Sequence, residues 1–152
     1  MHLRFIWPGK TKDERLRSLA NDYWKRISRF ARCEIHEVRE STTRDASAIE
    51  KEQRRIAEAI GGGSVVVLLD LNGREWSSQE LAKQVQRWEN DSVKELTIVV
   101  GGPEGVGEDV RARAQVRWRL SRLTLTHEMA RVLALEQVYR AFAISRGLPY
   151  QK

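Results

Sequence analysis

The sequence predicts an α/β fold built around parallel strands. Short runs of apolar and β-branched residues alternate with segments of helical periodicity along the chain. Two continuous apolar runs, residues 65–70 and 97–100, enclose one helical segment, which makes them a βαβ unit with parallel strands. With 152 residues, of which 41% are hydrophobic, the chain is expected to form one domain over residues 1–152.

The first strand and the first helix are predicted near the start of the chain. Residues 3–7 form an apolar run that ends at Pro8 and Gly9, two residues that interrupt regular structure. Asp13 then opens a helix in which apolar residues recur at helical spacing as far as Ile27. One face of this helix is therefore expected to lie in the core.

The next segment predicts a second strand and a second helix. Residues 33–38 alternate imperfectly between apolar and polar side chains, which favours a strand. A polar loop at residues 41–45 leads into a charged helix over residues 46–60. We expect the three glycines at 61–63 to end that helix as a glycine C-cap.

The central βαβ unit carries its own boundary signals. The strand at 65–70 is expected to leave the sheet through a turn at residues 70–73, Asp-Leu-Asn-Gly. Ser77 is predicted to cap a helix over residues 77–90, with Glu80 as its capping-box partner. Its inner face is predicted to carry Leu81, Val85 and Trp88.

The last third of the chain predicts two helices. Residues 108–118 are predicted to form a helix, and residues 120–126 a last strand or an extended loop. The helix at 129–145 is the longest apolar one, and its apolar residues cover most of its circumference. It should therefore be buried on several sides, one of which a partner subunit could supply.

Composition restricts the class of protein. The net charge of +6 suggests a polyanionic partner such as nucleic acid, although basic proteins without one are common. Cys33 is the only cysteine, which excludes an intrachain disulfide and a cysteine-based metal cluster, and no metal site is predicted. No apolar run approaches the roughly 18 residues of a membrane span, so we expect a cytoplasmic protein without a membrane partner.

A glycine-rich loop follows the strand at 97–100. Its sequence, Gly-Gly-Pro-Glu-Gly-Val-Gly at 101–107, allows positive φ angles and close approach of a ligand to the backbone. A loop at the carboxyl end of a central strand is where ligands usually bind in open α/β sheets. The alternative is a plain strand-to-helix turn. The spacing matches neither the dinucleotide-binding nor the P-loop pattern.

Two features of the last helix leave structural and functional interpretations open. Glu136 and Arg140 lie four residues apart, where an exposed pair would contribute only about 0.3 kcal/mol and a partly buried pair would suggest a function. His127 precedes the predicted helix. A lone histidine there is more often a cap or a surface group than a catalytic one.

Several segments, taken together, resemble one family in order and spacing. They are Leu-Asp at 69–70, Gly-Gly-Pro-Glu-Gly at 101–105, Leu-Ser-Arg-Leu-Thr-Leu-Thr-His at 120–127, Arg-Val-Leu at 131–133, Glu-Gln-Val-Tyr-Arg-Ala at 136–141 and Pro-Tyr at 149–150. The family is RlmH, the small SPOUT-class methyltransferases. The resemblance implies a SPOUT-type α/β-knot with a mostly parallel sheet, helices on both faces and a C-terminal trefoil knot.

The resemblance also implies a reaction and its partners. Members of that family use S-adenosylmethionine to methylate N3 of a pseudouridine in large-subunit ribosomal RNA, and they act as homodimers on the assembled ribosome. Three segments would surround the methyl donor. Their residues are Leu69, Gly101, Gly102, Ser121, Arg122, Leu123, Thr124, Leu125 and Thr126.

The same resemblance suggests catalytic roles, which we treat as hypotheses. Glu136 and His127 are the two candidate proton acceptors, with neither preferred. Arg131 and Arg140 would hold phosphates or a developing negative charge on the base. A second pair of residues, Tyr139 and Tyr150, would stack on the base or hydrogen-bond it.

Two departures from the family pattern are visible. Gln151 stands where members commonly have a terminal histidine, which puts any task of that histidine in doubt, and Thr126 replaces a common proline.

Two other functions compete with the implied one. The chain could bind RNA or the ribosome without catalysis, or it could be a SPOUT methyltransferase that acts on tRNA.

Overall fold

A five-stranded sheet lies at the centre of the structure, a computed structural model that describes residues 1–150. In chain order its elements are β1 (His2–Pro8), α1 (Glu14–Ile27), β2 (Cys33–Val38), α2 (Ala46–Ala59), β3 (Val65–Arg74), α3 (Ser78–Asn90), β4 (Glu95–Val99), α4 (Glu108–Arg113), β5 (Val116–Trp118) and α5 (His127–Ser145). The strand order is β2-β1-β4-β3-β5, and every pair of neighbours is parallel. The predicted α/β class and its parallel βαβ unit are confirmed.

Helices cover both faces of the sheet. Adjacent residues of a strand point to opposite faces, so Phe5 packs in the cluster that contains α1, α3 and α5, and Ile6 packs in the cluster that contains α2 and α4. After α1 and after α3, the chain enters a strand that lies closer to the β2 edge of the sheet. After α2 and after α4, it enters a strand that lies closer to the β5 edge. All four crossovers therefore have the same hand, as parallel sheets require.

The last helix, α5, is held between α1 and α3 on one face of the sheet. Leu135 and Phe142 are fully buried, and Tyr139 packs against the same cluster. The prediction that this helix is buried on several sides is therefore confirmed. Within residues 1–150 no helix is long and apolar enough to cross a membrane.

The predicted helix over residues 108–118 is wrong in its second half. The helix α4 ends at Arg113, and residues 116–118 form the edge strand β5. Gln115 makes two hydrogen bonds to Val66, since its backbone N–H donates to the Val66 carbonyl and its side-chain Oε1 accepts from the Val66 N–H. Trp118 is then buried beside Trp76. Pairing with β3 outweighs the local helical pattern.

The expected glycine C-cap after α2 is also wrong. The helix ends because Ile60 adopts an extended conformation, and the positive φ of this segment, 77°, belongs to Gly63. Arg113 donates to the Ala57 carbonyl at 2.9 Å and to the Ile60 carbonyl at 3.4 Å. A side chain from α4 thus satisfies carbonyls that a glycine cap would otherwise satisfy.

The strand β3 does not leave the sheet at residues 70–73 as expected. Leu69 and Arg74 both pair with Trp118, so the residues between them bulge out of the ladder without ending it. Within the bulge, the Asn72 N–H donates to Asp70 Oδ1 at 2.8 Å. The turn-forming residues predicted at 70–73 are therefore present, but they form a bulge inside a longer strand.

The bulge makes Gly73 a sensitive position. A Cβ atom there would lie 2.6 Å from the backbone carbonyl carbon and oxygen of Arg117 and 2.8 Å from the Trp118 nitrogen. Because backbone atoms of β5 cannot move aside, Gly73→Ala is expected to lower the free energy of unfolding by about 2–3 kcal/mol. Urea denaturation would measure the change.

Gly62→Ala is the matched control for this prediction. A Cβ at Gly62 meets nothing within 4 Å, and its φ is not in the left-handed region. That variant is expected to be neutral or more stable by up to about 1 kcal/mol. Equal stability of the two variants would contradict the steric argument.

Candidate active site

A cavity of about 630 Å³ opens at the carboxyl ends of β3 and β4. Its volume lies within the range of about 300–1,000 Å³ found for small-molecule sites, and its place in the sheet is the usual one for ligands. Three segments supply most of the wall, namely residues 68–72 within β3, the glycine loop after β4, and residues 118–127 from the end of β5 to the start of α5.

The glycine loop reverses direction through a tight turn. The Gly105 N–H donates to the Gly102 carbonyl at 3.0 Å, with Pro103 as the first of the two central residues. Positive φ angles occur at Gly105, 76°, and at Gly107, 86°, where the chain enters α4. Only these two of the four loop glycines use the left-handed region that the sequence suggested.

The other two glycines are needed for close packing. A Cβ at Gly101 would lie 3.0 Å from Val106 Cγ1, and one at Gly102 would lie 3.0 Å from Pro8 Cγ. Both glycines also line the cavity. The small size of these residues therefore brings bare backbone to the cavity wall.

Residues 120–126 form an extended loop, the second of the two predicted alternatives. Ser121 Oγ accepts from the Leu123 N–H at 2.9 Å, and Thr126 Oγ1 accepts from the Met129 N–H at 3.2 Å, which makes Thr126 the N-cap of α5. Of the predicted donor-binding residues, the cavity wall includes Leu69, Gly101, Gly102, Ser121, Leu123, Thr124, Leu125 and Thr126. Arg122 is exposed and does not line it.

The two candidate proton acceptors occupy different places along α5. His127 is the first residue of the helix and lines the cavity. Glu136 lies nine residues later, which is about 13 Å along the helix axis, and does not line the cavity. The structure brings only His127 to the predicted donor-binding residues.

The carboxylate of Glu136 is fully engaged. Its Oε1 accepts from Arg140 Nη2 at 2.6 Å, from Arg140 Nε at 3.0 Å and from the Tyr150 hydroxyl at 3.3 Å, and its Oε2 accepts from Gln137 Nε2 at 2.6 Å. The side chains of Glu136 and Arg140 are only 14% and 20% exposed. The pair is therefore partly buried, the arrangement that suggests a function.

Aromatic side chains surround this pair. The rings of Tyr139 and Tyr150 meet edge to face at 4.6 Å, and the Arg140 guanidinium lies 4.8 Å from the Tyr150 ring. The Tyr23 and Tyr150 hydroxyls are 3.1 Å apart. Burial, the contact with Tyr23 and the nearby Glu136 carboxylate together raise the pKa of Tyr150. Tyr150 is therefore a neutral hydroxyl at physiological pH.

Arg131 lies apart from both groups and is 1% exposed. Its guanidinium donates to the Pro8 carbonyl at 2.6 Å, to the Gly9 carbonyl at 3.2 Å and to Thr11 Oγ1 at 3.2 Å. It also stacks over Trp7 at 5.1 Å, and burial lowers its pKa. This placement does not support the predicted phosphate contact, because the guanidinium is buried and bonded within the protein. Arg131 instead joins α5 to the loop after β1.

Sequence reasoning missed two charged groups on the cavity wall, Arg111 and Arg119. Arg111 lies one helical turn after Gly107, so its spacing from the glycine loop was the available signal. Gln151, the predicted departure from the family pattern, lies outside the described residues. Among residues 1–150, no group of three or more His, Cys, Asp or Glu side chains is placed to hold a metal ion.

Comparison with known proteins identifies relatives over nearly the whole chain. The family described as Predicted SPOUT methyltransferase matches residues 1–151. Ribosomal RNA large subunit methyltransferase H of Geobacter sp. (strain M21) is 40% identical over 151 residues, which cover 99% of this chain and 98% of that protein. The protein of the same name from Maridesulfovibrio salexigens is 37% identical over 155 residues. The match covers 97% of this chain and 96% of that protein.

A solved structure supports the fold independently. A probable methylase family protein from Haemophilus influenzae Rd KW20 superposes with a TM-score of 0.58 at 13% identity, covering 99% of this chain and 70% of that one. The trefoil knot stays a prediction.

The resemblance stated from the sequence is confirmed. The chain belongs to the SPOUT methyltransferases, in the family of the ribosomal RNA large subunit methyltransferase H proteins.

Proposed function

We propose that this protein transfers a methyl group from S-adenosylmethionine to N3 of a pseudouridine in large-subunit ribosomal RNA. It acts as a homodimer, in the cytoplasm, on the assembled ribosome. The observation that carries the proposal is the cavity, because eight of the nine residues assigned to the donor by family resemblance line it. The shared name of relatives at 37–40% identity supports ribosomal RNA as the substrate.

The cavity suits an adenosyl ligand in size and in chemistry. Backbone at Gly101 and Gly102 is accessible, so main-chain N–H and C=O groups can contact the ribose and adenine. Leu123 and Leu125 provide apolar surface for the adenine ring. When bound, S-adenosylmethionine supplies an electrophilic methyl group on its sulfonium. The protein must align the target nitrogen with that methyl group.

We assign removal of the N3 proton to His127. A neutral imidazole can accept a proton near physiological pH, and this one lies on the cavity wall. Glu136 is a weaker candidate because four hydrogen bonds already occupy its oxygens. We give the cluster of Glu136, Arg140, Tyr139 and Tyr150 a separate task, which is to hold RNA beside the target nucleotide through charge and aromatic stacking.

Apolar surface on two neighbouring helices supports the homodimer. Leu19 on α1 is 45% exposed, and Met129 on α5 is 40% exposed. Leu148, just beyond α5, is 41% exposed. Exposed large apolar side chains on neighbouring elements are a common feature of protein interfaces. We therefore propose that the α1–α5 side contacts the second subunit.

Methyl transfer from labelled S-adenosylmethionine would test the function. Three substrates are compared, namely intact bacterial ribosomes that lack the modification, isolated large subunits and bulk tRNA, and mass spectrometry identifies the product nucleoside. We expect N3-methylpseudouridine on intact ribosomes. Label on tRNA alone would replace the substrate with tRNA. No label, together with no binding of S-adenosylmethionine, would favour a non-catalytic RNA-binding protein.

A further inference from the structure

Two side chains of opposite charge, Asp70 and Arg111, lie on the wall of the cavity. Asp70 follows the apolar part of β3, and Arg111 is on α4, directly after the loop that ends β4. Because β3 and β4 are neighbouring parallel strands, both residues come to the same end of the sheet. Arg119 is the other charged side chain of Arg or Asp type that the described residues place on this wall.

Arg111 is the more available of the two arginines on the cavity wall. Arg119 donates to Glu75 Oε1 at 2.9 Å and to the Leu71 carbonyl at 3.4 Å. Within residues 1–150, Arg111 pairs ionically with Glu108 alone, at 3.3 Å, and the Glu108 side chain is 91% exposed. An exposed pair on one helix contributes only about 0.3–0.5 kcal/mol, so a ligand carboxylate can replace Glu108 at little cost.

The Arg111 guanidinium also lies over the glycine loop. Its Nη2 would be 3.5 Å from a Cβ atom placed on Gly105. A planar guanidinium offers two parallel N–H groups, which match the two oxygens of a carboxylate. The side chain is therefore positioned to contact a carboxylate at the rim of the cavity.

Asp70 provides the complementary charge. Its side chain is 16% exposed, its Oδ1 accepts from the Asn72 N–H at 2.8 Å, and its Oδ2 lies 3.7 Å from Arg117 Nη1. A carboxylate has about four acceptor positions on its two oxygens. Asp70 therefore retains acceptor capacity for an ammonium group inside the cavity.

We propose that Asp70 and Arg111 recognise the amino-acid part of the methyl donor, with Arg111 binding its carboxylate and Asp70 its ammonium group. This inference rests on the proposed function, which requires an S-adenosyl ligand in the cavity. The cavity then selects a zwitterion, in addition to the adenosine that backbone groups and apolar side chains can bind. Neither charge takes part in methyl transfer itself.

A series of three ligands tests each charge separately by isothermal titration calorimetry. S-adenosylhomocysteine carries both charged groups, its decarboxylated form keeps only the ammonium, and 5′-methylthioadenosine has neither. Arg111→Gln is expected to weaken S-adenosylhomocysteine about tenfold or more and to change the other two ligands by less than about twofold. Asp70→Asn is expected to weaken the first two ligands by about tenfold or more and to spare the third.

Arg54→Gln is the control. Arg54 also pairs with a carboxylate on its own helix, Glu50 at 3.1 Å, and does not line the cavity. This variant removes the same charge and is expected to bind all three ligands as the unmodified protein does. Equal loss of all three ligands in Arg111→Gln, or no loss of any, would overturn the inference. Failure of the unmodified protein to bind any of the three would instead overturn the proposed function and the inference with it.

Discussion

Replacing His127 with glutamine is expected to lower the rate of methyl transfer by about 10²–10⁴-fold, the usual contribution of a general base. Glutamine keeps much of the size and hydrogen-bonding capacity of histidine but cannot accept a proton at neutral pH. Because His127 lies on the cavity wall at the first turn of α5, its loss should slow the chemical step. Single-turnover kinetics on intact ribosomes, with saturating S-adenosylmethionine, would measure that step.

Glu136→Gln provides the comparison for this prediction. Glu136 is held by Arg140, Tyr150 and Gln137, so its replacement is expected to disturb the Arg140 cluster and RNA binding more than the chemical step. Affinity for S-adenosylhomocysteine should stay unchanged in both variants. If Glu136→Gln abolished transfer while His127→Gln retained it, Glu136 would be the proton acceptor.

Replacing Arg131 with methionine is expected to lower the free energy of unfolding by about 3 kcal/mol. The substitution relieves the desolvation of a buried charge, but it leaves the Pro8 and Gly9 carbonyls and the Thr11 hydroxyl without this donor. Each buried group left without a partner costs about 1–3 kcal/mol. For a protein of this size, the loss corresponds to a fall in melting temperature of about 6–12 °C.

Arg15→Met is the matched control for this stability prediction. The Arg15 side chain is 90% exposed and pairs with Asp13, so its replacement should change the free energy of unfolding by less than about 0.5 kcal/mol. Thermal and urea denaturation would measure both variants. A change below about 1 kcal/mol for Arg131→Met would show that the apolar side chain compensates for the lost hydrogen bonds, as it does at some buried ion pairs.

The Arg131 contacts also connect α5 with the cavity. Pro8, whose carbonyl Arg131 binds, packs against Gly102 of the glycine loop. Glu128, the residue after His127, accepts hydrogen bonds from the N–H groups of Lys12 and Asp13, just before α1. The first turns of α5 are therefore tied to the loop after β1, and through Pro8 to one wall of the cavity.

Features that depend on residues close together in the chain can be predicted from the sequence alone. Asp13 caps α1, and the Ser77–Glu80 capping box opens α3, because a capping side chain reaches only the next turn of its own chain. Parallel β3 and β4 followed from two apolar runs around one helix. The family resemblance rested on several short motifs in a fixed order, and the comparisons confirm it.

Features that join distant parts of the chain depend on how the elements pack in the fold. Arg113 binds carbonyls about 55 residues away in sequence and replaces the expected glycine cap, and Gln115 binds Val66 and turns a predicted helix into an edge strand. Likewise, Arg131 is buried against Pro8 and Gly9, where it stabilises the fold. His127 lines the cavity, whereas Glu136 does not. Sequence periodicity reports local geometry, whereas burial and hydrogen-bond partners across the fold exist only once the strands have assembled.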